Sequence, residues 1–470
     1  MNPIFKKKEK QRDRIYYLRQ IIKSVIITIA FTFGLPQYTQ AQQNKTADTV
    51  PNYTLDQCIV FALQNQPALL QSSIDVTIAQ KTNDINLSGW LPQAYLTGSL
   101  THYIELPTSV SENPSDPTGP PVPVKAGIYN TATPQLSVTE NIFSPGLLYA
   151  AKSAHLLVQQ AQQANDSSKI NIIATVSKAF YNMLNNLEQI NVLKEDTARQ
   201  GRNVRDAYHQ YIGGIVDKTD YKEATITLNN SKAQLKQATE NARPLYASLK
   251  QLMGYPQENK FNVVLDTAQM MHEIMFDTTQ KLQYENRIEF QMIETTKTLQ
   301  HENVNYYRYN FLPTLSAFYD YDHEFESNSF STLFQQAYPY SYIGASISIP
   351  LFTGFARIEG LQRAKLQGQK IDLQEVNLKS SIYSEYTAAL ASYKSNLYNL
   401  LMLKDNVAMA KDVYNVVTLQ YKQGIVPYLN VITAEDNLVS SETSYINSLF
   451  QLLVSKVDLE KALGNISPKH

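Results

Sequence analysis

The stretch Gln210–Ala224, QYIGGIVDKTDYKEA, returns 210 residues later as Gln420–Ala434, QYKQGIVPYLNVITA. Tyr211 meets Tyr421, Gly214 meets Gly424, Ile215-Val216 meets Ile425-Val426 and Ala224 meets Ala434, all without a gap. The offset persists on either side, where Leu187, Leu193-Lys194, Leu228, Leu249 and Gly254 fall on Leu397, Leu403-Lys404, Leu438, Leu459 and Gly464. Further upstream an offset of 221 sets Asn65 on Asn286 and Leu91-Pro92 on Leu312-Pro313. Self-similarity of this extent marks a duplicated architecture. Generic helical periodicity explains neither a shared GIV turn nor a paired Leu-Pro.

Around the quoted stretch the apolar residues step by three and four. Ile173, Val176, Phe180, Met183, Leu187 and Ile190 are answered by Tyr383, Tyr386, Leu390, Tyr393, Leu397 and Leu400. After the turn, Ala224, Leu228, Ser231, Leu235 and Ala238 are answered by Ala434, Leu438, Ser441, Tyr445 and Ser448. A sustained seven-residue period predicts coiled-coil packing, and small Ala and Ser on the seam let backbones approach closely. The run from about Leu147 to Gln210 predicts a helix about 95 Å long at the α-helical rise. No compact domain of this size has that diameter.

Earlier in each half the period is two. Four segments of about ten residues, within 93–103, 133–141, 314–325 and 340–349, alternate apolar with polar residues, as strands that cross a membrane in a barrel do. From Thr314, one face carries Ala317, Tyr319, Tyr321, His323 and Phe325, and the other carries Ser316, Phe318, Asp320, Asp322 and Glu324. A soluble antiparallel sheet alternates in the same way. If the strands span a membrane, four cannot close a barrel, and an open edge is not tolerated in lipid. Several chains must then share one barrel, two supplying eight strands and three supplying twelve. The segment Leu106–Lys125, with six prolines, and the segment Glu326–Tyr338 predict loops outside the membrane.

The N-terminus carries Lys6, Lys7, Lys8, Lys10, Arg12, Arg14, Arg19 and Lys23, then an apolar run from Val25 to Leu35, then Thr39-Gln40-Ala41. This reads as an export signal cleaved near residue 41. An uncleaved inner-membrane anchor is the other reading. The whole chain of 470 residues has 41 basic and 42 acidic groups and a net charge of −1. That balance argues against a nucleic-acid binder. One Cys, Cys58, excludes an intramolecular disulfide and a cysteine-based zinc site. No Gly-Lys phosphate loop, no Gly-x-Ser-x-Gly elbow and no His-x-x-x-His pair is present, so no enzymatic activity, cofactor or metal is expected. The cluster Asp320, Asp322, His323, Glu324 and Glu326 is better explained as a wet, acidic lumen than as a metal site.

These residues resemble the TolC family of outer-membrane efflux channels over nearly all of the chain that follows the signal. YTLDQCIVFALQNQP at Tyr53 is similar to the family's opening helix, and NIFSPG at Asn141 and PLFTG at Pro350 are similar to its strand-to-helix exits. The two tips, Tyr-x-x-Gly followed six residues on by Asp or Asn, stand as Tyr211, Gly214 and Asp220, and as Tyr421, Gly424 and Asn430. The resemblance implies an α+β membrane protein built as a duplicated unit of helix, two strands and a long helical hairpin. Residues 1–41 form the signal peptide, 42–264 the first structural repeat and 265–470 the second. It further implies a homotrimer whose four strands per chain form a shared twelve-stranded β-barrel in the outer membrane, lined by Asp320, Asp322 and Glu324. Below it hangs a coiled-coil α-barrel in the periplasm.

The tips would close this duct until a periplasmic adaptor and an inner-membrane pump of the RND or ABC type engage them. The expected function is passive exit from such a tripartite efflux or type I secretion system. In the family, acidic side chains of the second half ring the entrance. Here those positions are Asn430 and Thr433, whereas the first half carries Asp220 and Glu223. A periplasmic coiled-coil adaptor and a structural coiled coil are the alternatives. The first has one hairpin in a Gly-rich β domain, and the second leaves the strands unexplained.

Overall fold

The computed structural model describes residues 50–112, 118–264 and 274–468. The expected signal segment, and Pro114 and Pro117 of the proline-rich loop, lie outside the described residues.

Each half opens on helix. Thr54 accepts from the backbone N–H of Gln57, and the Gln57 side chain accepts from that of Thr54, a reciprocal cap that starts α1 (Leu55–Asn65). Gln66 caps α2 (Pro67–Leu87), with Pro67 in the first turn where no N–H is needed. The second half has α5 (Ile288–Tyr309) in the place of α2 and, among the described residues, no α-helix in the place of α1, where a short 3-10 turn stands at Tyr284–Asn286. Two antiparallel strands follow in each half: β2 (Gln93–His102) and β5 (Asn130–Phe143), then β7 (Thr314–Ser327) and β8 (Ala337–Ser348).

The proline-rich connection is not wholly irregular. β3 (Thr108–Ser111) and β4 (Val122–Lys125) pair within it as a small hairpin. Pro123, opposite Val110, is admitted because the ladder is two strands wide and its donors at one edge face outward. A second short pair, β1 (Asn52–Tyr53) with β6 (Asn262–Val263), runs parallel and ties the start of the first repeat to its end.

The long helices exceed the expected length slightly. The first hairpin is α3 (Pro145–Ile212) and α4 (Lys218–Met253), and the second is α6 (Ala356–Lys422) and α7 (Tyr428–Leu463). With 68 residues α3 is about 100 Å long. The main core lies midway along it, where Val176, Phe180 and Met183 of α3 meet Cys58 and Ala62 of α1, Leu249 of α4, Tyr393 of α6 and Phe450 and Leu452 of α7. Burial pushes the Cys58 thiol up to about 12, so it is a small packed residue and not a reactive one. Tyr393 donates from its hydroxyl to the carbonyl of Ile274 at 2.6 Å, which satisfies a fully buried oxygen.

The duplication reappears here as one repeated contact. Helices α4 and α7 both end on a left-handed glycine, Gly254 at φ 69° and Gly464 at φ 76°. A Cβ on Gly254 would stand 2.5 Å from the carbonyl oxygen of Asn65, and one on Gly464 2.7 Å from that of Asn286. Beside them Arg287, buried, donates to the Ala462 carbonyl at 3.0 Å and pairs with Glu385 at 2.8 Å. Gln66, its counterpart at the offset of 221, reaches the Gln251 carbonyl at 3.5 Å. Among the described residues no helix is long and apolar enough to cross a membrane.

Candidate functional site: the hairpin tips and the strand face

The two tips close in the same way. At the first, the N–H of Ile215 donates to the Gln210 carbonyl at 2.9 Å and the N–H of Gly214 to that of Tyr211 at 3.0 Å. At the second, Ile425 donates to Gln420 at 2.9 Å and Gly424 to Tyr421 at 2.9 Å. This pair of bonds ends a helix when the residue between can take positive φ. Gly214 and Gly424 do so at 69° and 74°. Around them a Cβ would meet nothing within 4 Å. The glycines are required by backbone angle alone.

Beyond the turns the tips present apolar side chains to solvent: Ile215 is 76% exposed, Ile425 64% and Leu429 59%. The sequence singled out the shared GIV as a turn and not as this surface. Just behind it Tyr421 joins the two hairpins. Its hydroxyl donates to the Gln210 side chain at 2.7 Å, and its ring lies 5.3 Å from that of Tyr428. Burial, with help from Asp220 and Asp206, pushes the Tyr421 hydroxyl up to about 12. Asn203, Asp206, His209, Tyr421 and Val431 line a cavity of about 240 Å³ there.

The expected site residues divide accordingly. Tyr421 is half-buried and bridges the hairpins, whereas Tyr211 is half-buried on α3. Asp220 is half-buried and close enough to Tyr421 to raise its hydroxyl, and burial followed by its neighbour Asp217 raises the Asp220 carboxyl above the ordinary value. Glu223 is half-buried on α4. Asn430 and Thr433 are exposed on α7, with the Thr433 hydroxyl donating back to the Leu429 carbonyl at 3.0 Å.

At the other end the strands form one antiparallel sheet in the order β2-β5-β7-β8. Its register sorts the side chains into two faces. Asp320 stands opposite Ser137 and Tyr342, and Asp322 opposite Gln135 and Tyr340. Glu324 stands opposite Tyr338. Directly opposed residues share a face, so one face is polar, acidic and tyrosine-bearing. Asp320 and Asp322 are 9% and 3% exposed on it. The other face carries Leu96, Leu136, Tyr319, Tyr321, Ile343 and Ile347, all exposed. Gly344 fits the polar face by position, since a Cβ there would lie 2.5 Å from the Phe318 ring that covers it. Strands β2 and β8 have no second partner among the described residues. Groups of three or more His, Cys, Asp or Glu able to hold a metal ion are absent among them as well.

Known proteins match this arrangement. The family model described as outer membrane efflux protein matches residues 59–255 and 283–465. The outer membrane protein TolC of Vibrio cholerae is 19% identical over 439 residues, covering 92% of this chain and 95% of that protein. A probable efflux pump outer membrane protein of Pseudomonas putida, TtgC, is 23% identical over 326 residues, 65% of this chain and 62% of its own. Among solved structures, the CmeC outer membrane channel of Campylobacter jejuni superposes with a TM-score of 0.70 at 17% identity, over 93% of this chain and 95% of that one.

Proposed function

The chain belongs to the outer membrane efflux protein family, and from that premise we propose how its parts conduct. The protein is an outer-membrane channel, an exit duct for efflux. We assign the polar face of the sheet, with Asp320, Asp322 and Glu324, to the lumen, and the face with Leu96, Ile343 and Ile347 to lipid. Three chains then close twelve strands. The observation that carries this reading is the four-stranded sheet with two unpaired edges and one exposed apolar face. In lipid such edges must be paired, and only closure pairs them all. Leu351, Phe352 and Phe355, all exposed where β8 passes into α6, sit where an aromatic belt at the membrane boundary belongs.

The hairpins form the tunnel that hangs below, and their tips close it. The repeats run over 42–264 and 265–470, after a signal ending near 41. A periplasmic adaptor docks on the apolar tips at Ile215, Ile425 and Leu429, and an inner-membrane pump loads the duct. The protein performs no chemistry on what passes. Outer-membrane fractionation, with a trimer in mild detergent whose gel mobility changes on boiling, is the expected result. A soluble periplasmic monomer overturns the reading.

A further inference from the structure

Above the tips, α3 and α7 meet through a polar patch. Glu435 of α7 is 1% exposed. It accepts from Arg199 Nε at 3.2 Å and from Asn203 Nδ2 at 2.9 Å, both on α3. The second arm of Arg199 lies 3.7 Å from Asp196 and 3.8 Å from Glu442, close enough for charge attraction but too far for hydrogen bonds. One guanidinium therefore serves three carboxylates. Asp196 and Gln200 are 3% and 1% exposed. Asp196 Oδ1, Gln200 Oε1 and Glu442 Oε2 are buried without a donor, and Arg199 Nη2 is buried without an acceptor at hydrogen-bond distance. Three carboxylates thus share one guanidinium. Carboxylates gathered so in a buried site cannot all ionise, and one retains a proton.

The duplication shows that this patch is particular to one seam. At the offset of 210, Asn406, Met409, Ala410 and Val413 stand where Asp196, Arg199, Gln200 and Asn203 do, and Thr225 and Lys232 where Glu435 and Glu442 do. The other half carries neither the acidic pair nor the arginine at these positions.

We propose that a proton held on Glu435 clamps α3 against α7, and that its loss loosens the seam which sets the second tip, making the channel entrance pH-sensitive. The clamp rests on the reading that the tips close the duct. The groups facing Glu435 are Asp196, Arg199 and Asn203 from α3, Tyr414 from α6, and Tyr428 and Asp436 from α7. Glu442, on α7, is influenced by Glu195 of α3 and Lys411 of α6 as well as by Arg199. Burial first, then Asp196, pushes the Glu435 carboxyl up to about 7 against the pull of Arg199. A loosened seam returns it toward the ordinary 4.5. Between those values the packed seam holds more protons than the loosened one. Its stability is thus full below the lower value and falls as pH rises through the upper. The bias amounts to at most about tenfold per pH unit for each chain.

The test uses the full-length trimer in mild detergent and in planar bilayers. Hydrogen exchange of segments 190–205 and 430–445, corrected for intrinsic rates, is followed from acid to alkaline pH together with conductance. We expect protection to fall and conductance to rise around neutral pH. Glu435→Gln should keep the seam protected at every pH. Asp196→Asn should move the midpoint down by about one pH unit, because it removes a like charge. A merely structural role for Glu435 gives no such shift. Protection independent of pH in the unmodified chain, or a midpoint unchanged in Glu435→Gln, overturns the clamp. Protection that follows pH while conductance does not leaves the clamp standing and removes the tips as the closure of the duct.

Discussion

Gly214 and Gly254 stand at opposite ends of α4, and Gly424 and Gly464 at opposite ends of α7. All four have positive φ. At Gly254 and Gly464 a backbone carbonyl occupies the space a Cβ would need, whereas at Gly214 and Gly424 that space is empty. The same residue thus does two things. At the middle of the molecule it permits a close approach that locks the end of a helix against the start of its own repeat. At the tip it only lets the chain reverse. The glycine's own constraint is thus a packing contact at one end of the hairpin and a backbone angle at the other.

The sharpest way to break this contrast is to add one methyl group at each end. Gly254→Ala or Gly464→Ala combines left-handed strain with overlap on a carbonyl, and should cost about 3 kcal/mol or more, read as a lowered thermal unfolding midpoint and reduced trimer yield. Equal stability of these variants and of Gly214→Ala would erase the distinction between the two ends. A smaller effect on folding, with a larger one on transport, is expected at the tips. Gly214→Val with Gly424→Val should cost about 1–2 kcal/mol per site and impair export while the barrel assembles. Asn in place of Val should restore export, because Asn tolerates left-handed backbone. Export that survives the double Val variant with adaptor binding intact would count against the role of the tips.

How far the contrast could be read beforehand depends on its cause. The offset of 210 already paired Gly254 with Gly464 and Gly214 with Gly424, because identity at a glycine survives duplication when nothing else fits. It could not separate the two reasons, since the carbonyls of Asn65 and Asn286 come from distant sequence. The strand faces were legible, because alternation fixes them and the register keeps Asp320, Asp322 and Glu324 together. The β3–β4 hairpin was hidden by its prolines, which usually signal irregular chain. The absence of a second-half helix matching α1 was hidden by an alignment that ran across it at Asn286. Glu435 carried no signal, as an Ala434-Glu435-Asp436 step in a heptad reads as a solvated flank until Arg199 is seen to reach it from 236 residues away.

The smallest expected effect sharpens the comparison between the two tips themselves. Asn430 and Thr433 are neutral and exposed on α7, while Asp220 and Glu223 of the first tip are half-buried. If the second-half tips ring the entrance as proposed, its exposed positions carry no carboxylate, and trivalent cations should block conductance in planar bilayers only weakly. Asn430→Asp with Thr433→Asp should create block that strengthens at low salt, where exposed charges are less screened. Strong block of the unmodified channel that persists in Asp220→Asn with Glu223→Gln would point to another ring, with Asp320, Asp322 and Glu324 as the next candidates.

The central core gives the long helices the mechanics of a lever. It grips α3 around Ile173–Leu184, leaving an arm of about 40 Å from there to the end at Ile212. Swinging a stiff arm of that length by about 5° carries its end through about 4 Å. In the proposed trimer, three such ends moving outward together would widen the mouth by more than the breadth of a side chain. Such a swing would need no helix to unwind, so the work of the proposed opening would fall on the contacts between neighbouring arms.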